Sequence, residues 1–69
     1  MPLSMASVGD TGRIRKITGR DEVRQHLSEL GFVVGEPVQV VSVLGGSMIL
    51  AVKDSRVAID RAMAQRIMI

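Results

Sequence analysis

The feature that most constrains this chain is a change of hydrophobic spacing within RQHLSELGFVVGEPVQVV, residues 24–41. Before Gly31 the apolar residues lie three and four positions apart, as on one face of a helix, and after it the valines crowd together as in a strand. A glycine directly after a helical segment is typical of the left-handed residue that ends a helix. We therefore expect Gly31 to turn the chain so that the helix lies against the sheet that follows.

The helix is predicted over residues 21–30, where Val23, Leu27 and Leu30 share one apolar stripe. Phe32, the single aromatic residue of the chain, follows the turn and can fold back onto that stripe. The stripe and Phe32 are interpreted chiefly as core. In a chain this small, part of the same apolar surface could instead line a groove for a partner.

Short β segments surround this helix. A bent or bulged strand is predicted over residues 12–18, and a meander over residues 38–44, 47–52 and 56–59. Gly35 belongs to the turn that leads into the meander, and Gly45 with Gly46 forms a two-residue hairpin signal. Asp60 can cap a short helical turn near residues 60–65, and RIMI closes the chain as a last short strand.

Small antiparallel sheets tend to close on themselves, because closure hides their edges. The predicted fold is therefore mainly β: a partly open, SH3-like barrel of about five strands, with one inserted helix over residues 21–30. The 69 residues allow a single domain, residues 1–69.

Composition excludes several functions. The chain has no cysteine, which rules out disulfides and cysteine-based zinc sites, and its start does not resemble a secretory signal. The longest stretch without a charge, residues 37–52, is too short to span a membrane. With one histidine and no paired carboxylates, the sequence lacks the parts that catalysis needs. We expect a cytoplasmic protein that is not an enzyme and does not insert into a membrane.

Two groups of polar residues could bind something. Glu22 and His26, four positions apart on the helix, are candidate ligands for Fe²⁺, Mn²⁺ or Zn²⁺, with Glu29 one turn further. An ordinary solvated helix face is the favoured interpretation, because side chains two turns apart are hard to bring to one ion, and we predict no firm metal site and no cofactor.

The second group is a cluster of basic residues near the first strand: Arg13, Arg15, Lys16 and Arg20. Such a cluster suits an acidic protein surface. Nucleic acid is a poor fit, because there are no aromatic side chains on which bases could stack and no basic recognition helix. A solvated outer face of the barrel is the simpler alternative.

The run Arg24-x-x-Leu27-x-x-Leu30-Gly31-Phe32-x-x-Gly35 resembles the FeoA family. The opening GDTGRIRKITG, the strand VQVV, the glycine hairpin and SRVAIDRAMAQRIMI extend the resemblance over nearly the whole chain. The resemblance implies an SH3-like barrel with an inserted helix. It also implies a cytosolic partner of the ferrous iron transporter FeoB, a membrane protein with a GTP-binding domain.

The implied role is to dock on FeoB and to support or regulate iron uptake. The expected contact residues are Leu27, Leu30, Phe32 and the four basic residues above. Similar SH3-like domains occur in metal-dependent repressors related to the diphtheria toxin repressor, behind a DNA-binding module. Because this sequence begins at Met1 without that module, a stand-alone protein is expected, and a metal-responsive domain is the alternative. The resemblance leaves the oligomeric state open, a homo-oligomer included.

Overall fold

The computed structural model describes every residue from Met1 to Ile69. A 3₁₀ turn at Leu3–Met5 is followed by six strands and two α-helices. In chain order these are β1 (Thr11–Arg13), β2 (Lys16–Ile17), α1 (Asp21–Glu29), β3 (Pro37–Leu44), β4 (Ser47–Val52), β5 (Ser55–Asp60), α2 (Arg61–Ala64) and β6 (Ile67–Met68). Neither helix is long and apolar enough to cross a membrane.

The strands form two antiparallel sheets that enclose one core. Four strands pair in the order β1-β3-β4-β5, and β2 pairs with β6 in a separate two-stranded ribbon. Thirteen buried side chains fill the space between them, and all are hydrophobic. Only Phe32 among them is aromatic, so the core depends on aliphatic packing.

The single strand predicted over residues 12–18 is wrong. The chain leaves the first sheet after Arg13 and joins the second at Lys16, so it contributes β1 to one sheet and β2 to the other. Ile14 lies at the crossing point and is buried. Its N–H donates to Glu36 O at 3.0 Å, and its carbonyl accepts from Gly35 N–H at 2.8 Å. This change of sheet explains why Ile14 and Ile17 break the alternation of a regular strand, and it raises the strand count from five to six.

Helix α1 ends at the glycine that the sequence singles out. Gly31 has a φ of +109°, and the Phe32 N–H donates to Leu27 O while the Gly31 N–H donates to Ser28 O, both at 3.0 Å. These two bonds are those of a Schellman motif. The turn carries Phe32 back beneath the helix, where Phe32 and Leu27 have no exposed surface. Asp21 lies in the first turn of α1, and Arg20 occupies the N-cap.

The β3–β4–β5 meander follows the predicted hairpins. Gly45 and Gly46 separate the paired residues Leu44 and Ser47, and Gly45 has a φ of +57°. The register of β3 shifts between Val40 and Ser42. This irregularity lets the adjacent Val40 and Val41 be buried and half-buried, although a regular strand would send one of them to the surface.

The Asp60 carboxylate caps α2. It accepts a hydrogen bond from the Met63 N–H at 2.8 Å, as expected for an acidic residue before a short helical turn. This cap fixes the start of α2 directly at the end of β5.

Gly31→Ala is predicted to lower the free energy of unfolding by about 1–3 kcal/mol, because a φ of +109° is a conformation that alanine rarely adopts. The cause is the backbone, since an added Cβ would meet Val52 Cγ1 at an ordinary 3.5 Å. Gly46→Ala is the matched control, because nothing lies within 4 Å of its added Cβ and its φ is not positive. Urea denaturation followed by circular dichroism measures both. Equal stability of the two variants would contradict the role assigned to Gly31.

Candidate functional site

The strongest functional feature is a patch of five exposed basic side chains around the β2–β6 ribbon. The basic patch consists of Arg13, Arg15, Lys16, Arg20 and Arg66. The first four are those that the sequence predicts as a cluster. Arg66 is distant in sequence and is brought in by strand pairing, because the Thr18 N–H donates to Arg66 O at 2.7 Å. No acidic residue occurs in residues 11–20 or 61–69, so the charged side chains of the ribbon and its flanks are all positive.

Backbone pairing holds this patch in place. The Arg15 N–H donates to Met68 O at 2.8 Å, Lys16 lies opposite Met68, and Ile17 lies opposite Ile67. Ile67 is fully buried, so this pair faces the core. Because successive residues of a strand point to opposite faces, Lys16 is directed to solvent.

The positive charge of the patch is not neutralised within the chain. The structure has one ion pair, between Arg24 and Asp21 on the exposed face of α1, and none that involves the patch. Arg13 is the single patch residue whose side chain forms a hydrogen bond, from its guanidinium to Gly35 O at 2.9 Å. Like charges held together without counter-charges repel one another, which costs stability and favours an external anionic partner.

An exposed apolar pair borders the patch. Val33 and Val34, on the loop between α1 and β3, expose 38% and 60% of their surface. Gly35 anchors the loop, since its N–H donates to Ile14 O and its carbonyl accepts from Arg13. The sequence prediction missed this valine pair. The signal was present, because two adjacent apolar residues in a short turn between Gly31 and Gly35 cannot both reach the core.

The contact role predicted for Leu27 and Phe32 does not fit this fold. Both side chains have 0% exposed surface and belong to the core, so neither can touch a partner. Leu30 is half-buried and packs against the same core. The apolar stripe of α1 therefore packs against the core and is not part of the exposed candidate site.

The candidate metal ligands lie on the open side of α1. Glu22, His26 and Glu29 are all exposed. Nowhere in the chain do three or more His, Asp or Glu side chains come together as a metal-binding group.

The surface also has two shallow clefts of about 300 and 400 Å³, and neither is lined by the basic patch or by the valine pair. The candidate site is thus an open surface of mixed basic and apolar character.

Comparison with known proteins identifies the family of this chain. The FeoA domain family matches residues 1–69. A protein of Methanocaldococcus jannaschii named Fe(2+) transport protein A is 31% identical over 68 residues, which cover 99% of this chain and 83% of that protein.

Solved structures agree with this match. The crystal structure of an iron uptake regulatory protein, FeoA, is 32% identical with a TM-score of 0.91, covering 97% of this chain and 91% of that one. FeoA of Stenotrophomonas maltophilia, described as a procaryotic SH3 domain protein and solved in complex with zinc, is 28% identical with a TM-score of 0.83, covering 99% and 87% of the two chains. The predicted SH3-like fold is confirmed.

A manganese-dependent transcriptional repressor shares the fold alone. It is 20% identical with a TM-score of 0.89, and the match covers 97% of this chain but only 39% of the repressor. The family assignment rests on the match over residues 1–69 together with the relative from M. jannaschii. As the resemblance in the sequence predicts, the chain belongs to the FeoA domain family.

Proposed function

We propose that this protein is a non-enzymatic accessory of ferrous iron uptake that docks on the cytosolic part of a FeoB-type transporter and supports or regulates it. The observation that carries the proposal is the basic patch, whose charge has no counterpart within the chain, beside the exposed pair Val33 and Val34. The names of the relatives, an Fe(2+) transport protein and an iron uptake regulatory protein, support a role in iron transport.

The two parts of this surface suit different steps of docking. A cluster of five cations attracts an acidic partner over about one Debye length, roughly 8–10 Å at physiological salt, and so raises the association rate. An apolar pair beside them supplies surface that a partner can bury, which slows dissociation. The partner surface is therefore acidic, with an apolar depression positioned for the valine pair.

The arrangement of the chain's titratable side chains is consistent with a binding role and not with catalysis. Its single histidine, His26, is exposed and takes part in no side-chain hydrogen bond, so no group orients it as a general base would be oriented. Neither cleft contains a histidine or a carboxylate.

Arg15→Glu combined with Lys16→Glu should weaken binding to the purified cytosolic part of FeoB by about tenfold or more, because two attractive charges become repulsive. Surface plasmon resonance at two salt concentrations measures it, and the wild-type affinity should fall with salt. Arg56→Glu is the matched control, since it changes an exposed arginine on β5 and should leave binding unchanged. Binding that is insensitive to Arg15 and Lys16, or equally sensitive to Arg56, would contradict the proposed docking surface.

Val34→Ser tests the apolar part of the same surface. Val34 is 60% exposed, so the substitution should leave the fold intact and raise the dissociation rate. Circular dichroism of the variant checks the fold. An unchanged dissociation rate would remove the valine pair from the interface.

A metal-responsive role is the second candidate, because FeoA of S. maltophilia is solved with zinc. In this chain Glu22 and His26 are one helical turn apart and could both reach one ion. They would supply only two ligands on an exposed helix face, and structural zinc sites generally use four. The geometry therefore favours docking as the main role.

Anaerobic calorimetry with Fe²⁺ and with Zn²⁺ separates the two roles. We expect binding weaker than micromolar. Gln25→Ala serves as the control on the neighbouring exposed position. Tighter binding that is lost in His26→Ala and kept in Gln25→Ala would establish the metal-binding role in place of our expectation.

A further inference from the structure

Strand β5 has an open edge. It is the outermost strand of the four-stranded sheet and pairs with β4 alone, over all six residues from Ser55 to Asp60. The backbone hydrogen bonds formed outside helices and strands involve no residue from Ser55 to Ile59. The opposite edge strand, β1, has only three residues. The β5 edge is thus the longest row of unpaired backbone groups in the sheet.

The turn before β5 determines which backbone groups are free. Lys53 and Asp54 form a two-residue turn that joins the paired residues Val52 and Ser55. In such a hairpin the closing pair exchanges both of its hydrogen bonds, and bonded pairs then alternate along the ladder. Ser55, Val57 and Ile59 therefore direct their N–H and C=O groups to β4. Arg56 and Ala58 direct theirs to the open edge. Asp60 directs its N–H there, but its carbonyl accepts the first hydrogen bond of α2, of which Asp60 is the N-cap.

The side chains at these three positions share one face of the strand. Arg56, Ala58 and Asp60 are exposed, whereas Ile59 is buried and Val57 is half-buried. A positive and a negative side chain therefore lie two positions to either side of a small, central alanine. The Asp60 carboxylate uses one oxygen to cap α2, which leaves the other free.

We propose that β5 pairs antiparallel with β5 of a second copy of this chain, about a two-fold axis at Ala58. The two Ala58 residues then exchange both backbone hydrogen bonds. In this register each Arg56 lies directly opposite Asp60 of the second copy, and Val57 lies opposite Ile59. The two four-stranded sheets join into one continuous sheet of eight strands.

The charge pattern favours a second copy over an unrelated strand. Edge strands are commonly protected by charged side chains, prolines or bulges; β5 contains no proline and no bulge, and its charges are one positive and one negative. Its two charges are of opposite sign and equidistant from Ala58, so two antiparallel copies match each charge with its complement. Opposite charges on directly facing strands stabilise pairing. A strand with charges of one sign would repel its own copy.

The pairing is expected to be weak, since it joins two short strands and buries little surface beyond them. Sedimentation velocity from micromolar to millimolar protein should show a reversible monomer–dimer equilibrium. Amide hydrogen exchange measured by NMR over the same range locates the contact. The amides of Ala58 and Asp60 should become protected as the concentration rises, because they donate to Ala58 O and Arg56 O of the second copy, while those of Val57 and Ile59 should be protected throughout.

Arg56→Glu should raise the dimer dissociation constant by about tenfold or more, because two attractive pairs become two repulsive ones. Ala58→Pro should abolish the dimer by removing the central N–H donor, at an edge position that tolerates proline. The control is Arg15→Glu, which makes the same change of charge on the basic patch and should leave the dimer intact. If Ala58→Pro fails to fold, the dimer dissociation constant of Arg56→Glu still tests the proposed pairing.

Three results would overturn the inference. One is a monomer at millimolar concentration. Another is a dimer that Arg56→Glu leaves unaltered, and the third is concentration-dependent protection elsewhere than at Ala58 and Asp60. Protection of these amides only in the presence of an added extended peptide would assign the edge to a different strand and equally exclude the second copy. Docking on the transporter is measured separately, so either proposal can fail without the other.

Discussion

The fold depends on the turn at Gly31, which joins a helix and a sheet that have few other contacts. Two backbone hydrogen bonds reverse the chain there and place Phe32 beneath α1 beside Leu27. Fully burying such side chains contributes about 1.5–3 kcal/mol each. Leu27 is the single fully buried residue of α1, so the helix is held largely by this pair and by the half-buried Val23 and Leu30. A side chain at position 31 would strain the backbone on which the arrangement rests.

The same turn determines which side chains are exposed next to the basic patch. Because Gly31 sends Phe32 inward, the next two valines remain outside, on a loop that Gly35 fastens to Ile14 and Arg13. The chain then changes sheets at Ile14, and this change brings Arg15 and Lys16 against β6 and close to Arg66. A patch of cations without counter-charges and a neighbouring apolar pair thus arise from packing requirements of the core. A surface that pairs no charge internally is suited to binding another molecule.

Local signals were sufficient to predict the helix, its glycine stop, the two-residue hairpin and the capped turn at Asp60, because each depends on neighbouring residues alone. The division of the first strand into β1 and β2 was missed, because it depends on pairing with strands that are distant in sequence: residues 11–13 pair with β3 and residues 16–17 pair with β6. Arg66 joins the patch through the same distant pairing. Leu27 was assigned both a core role and a contact role, because periodicity marks a buried stripe but cannot show whether a partner or the chain itself covers it.

We infer that α1 and its closing turn belong to the cooperative core. Native-state hydrogen exchange of the Phe32 amide tests this most directly, since its N–H donates to Leu27 O at 3.0 Å. This amide should exchange only through global unfolding, with the same free energy of opening as the slowest amides of β3 and β4. Exchange of the Phe32 amide by local opening, at a much lower free energy than those strands, would contradict it.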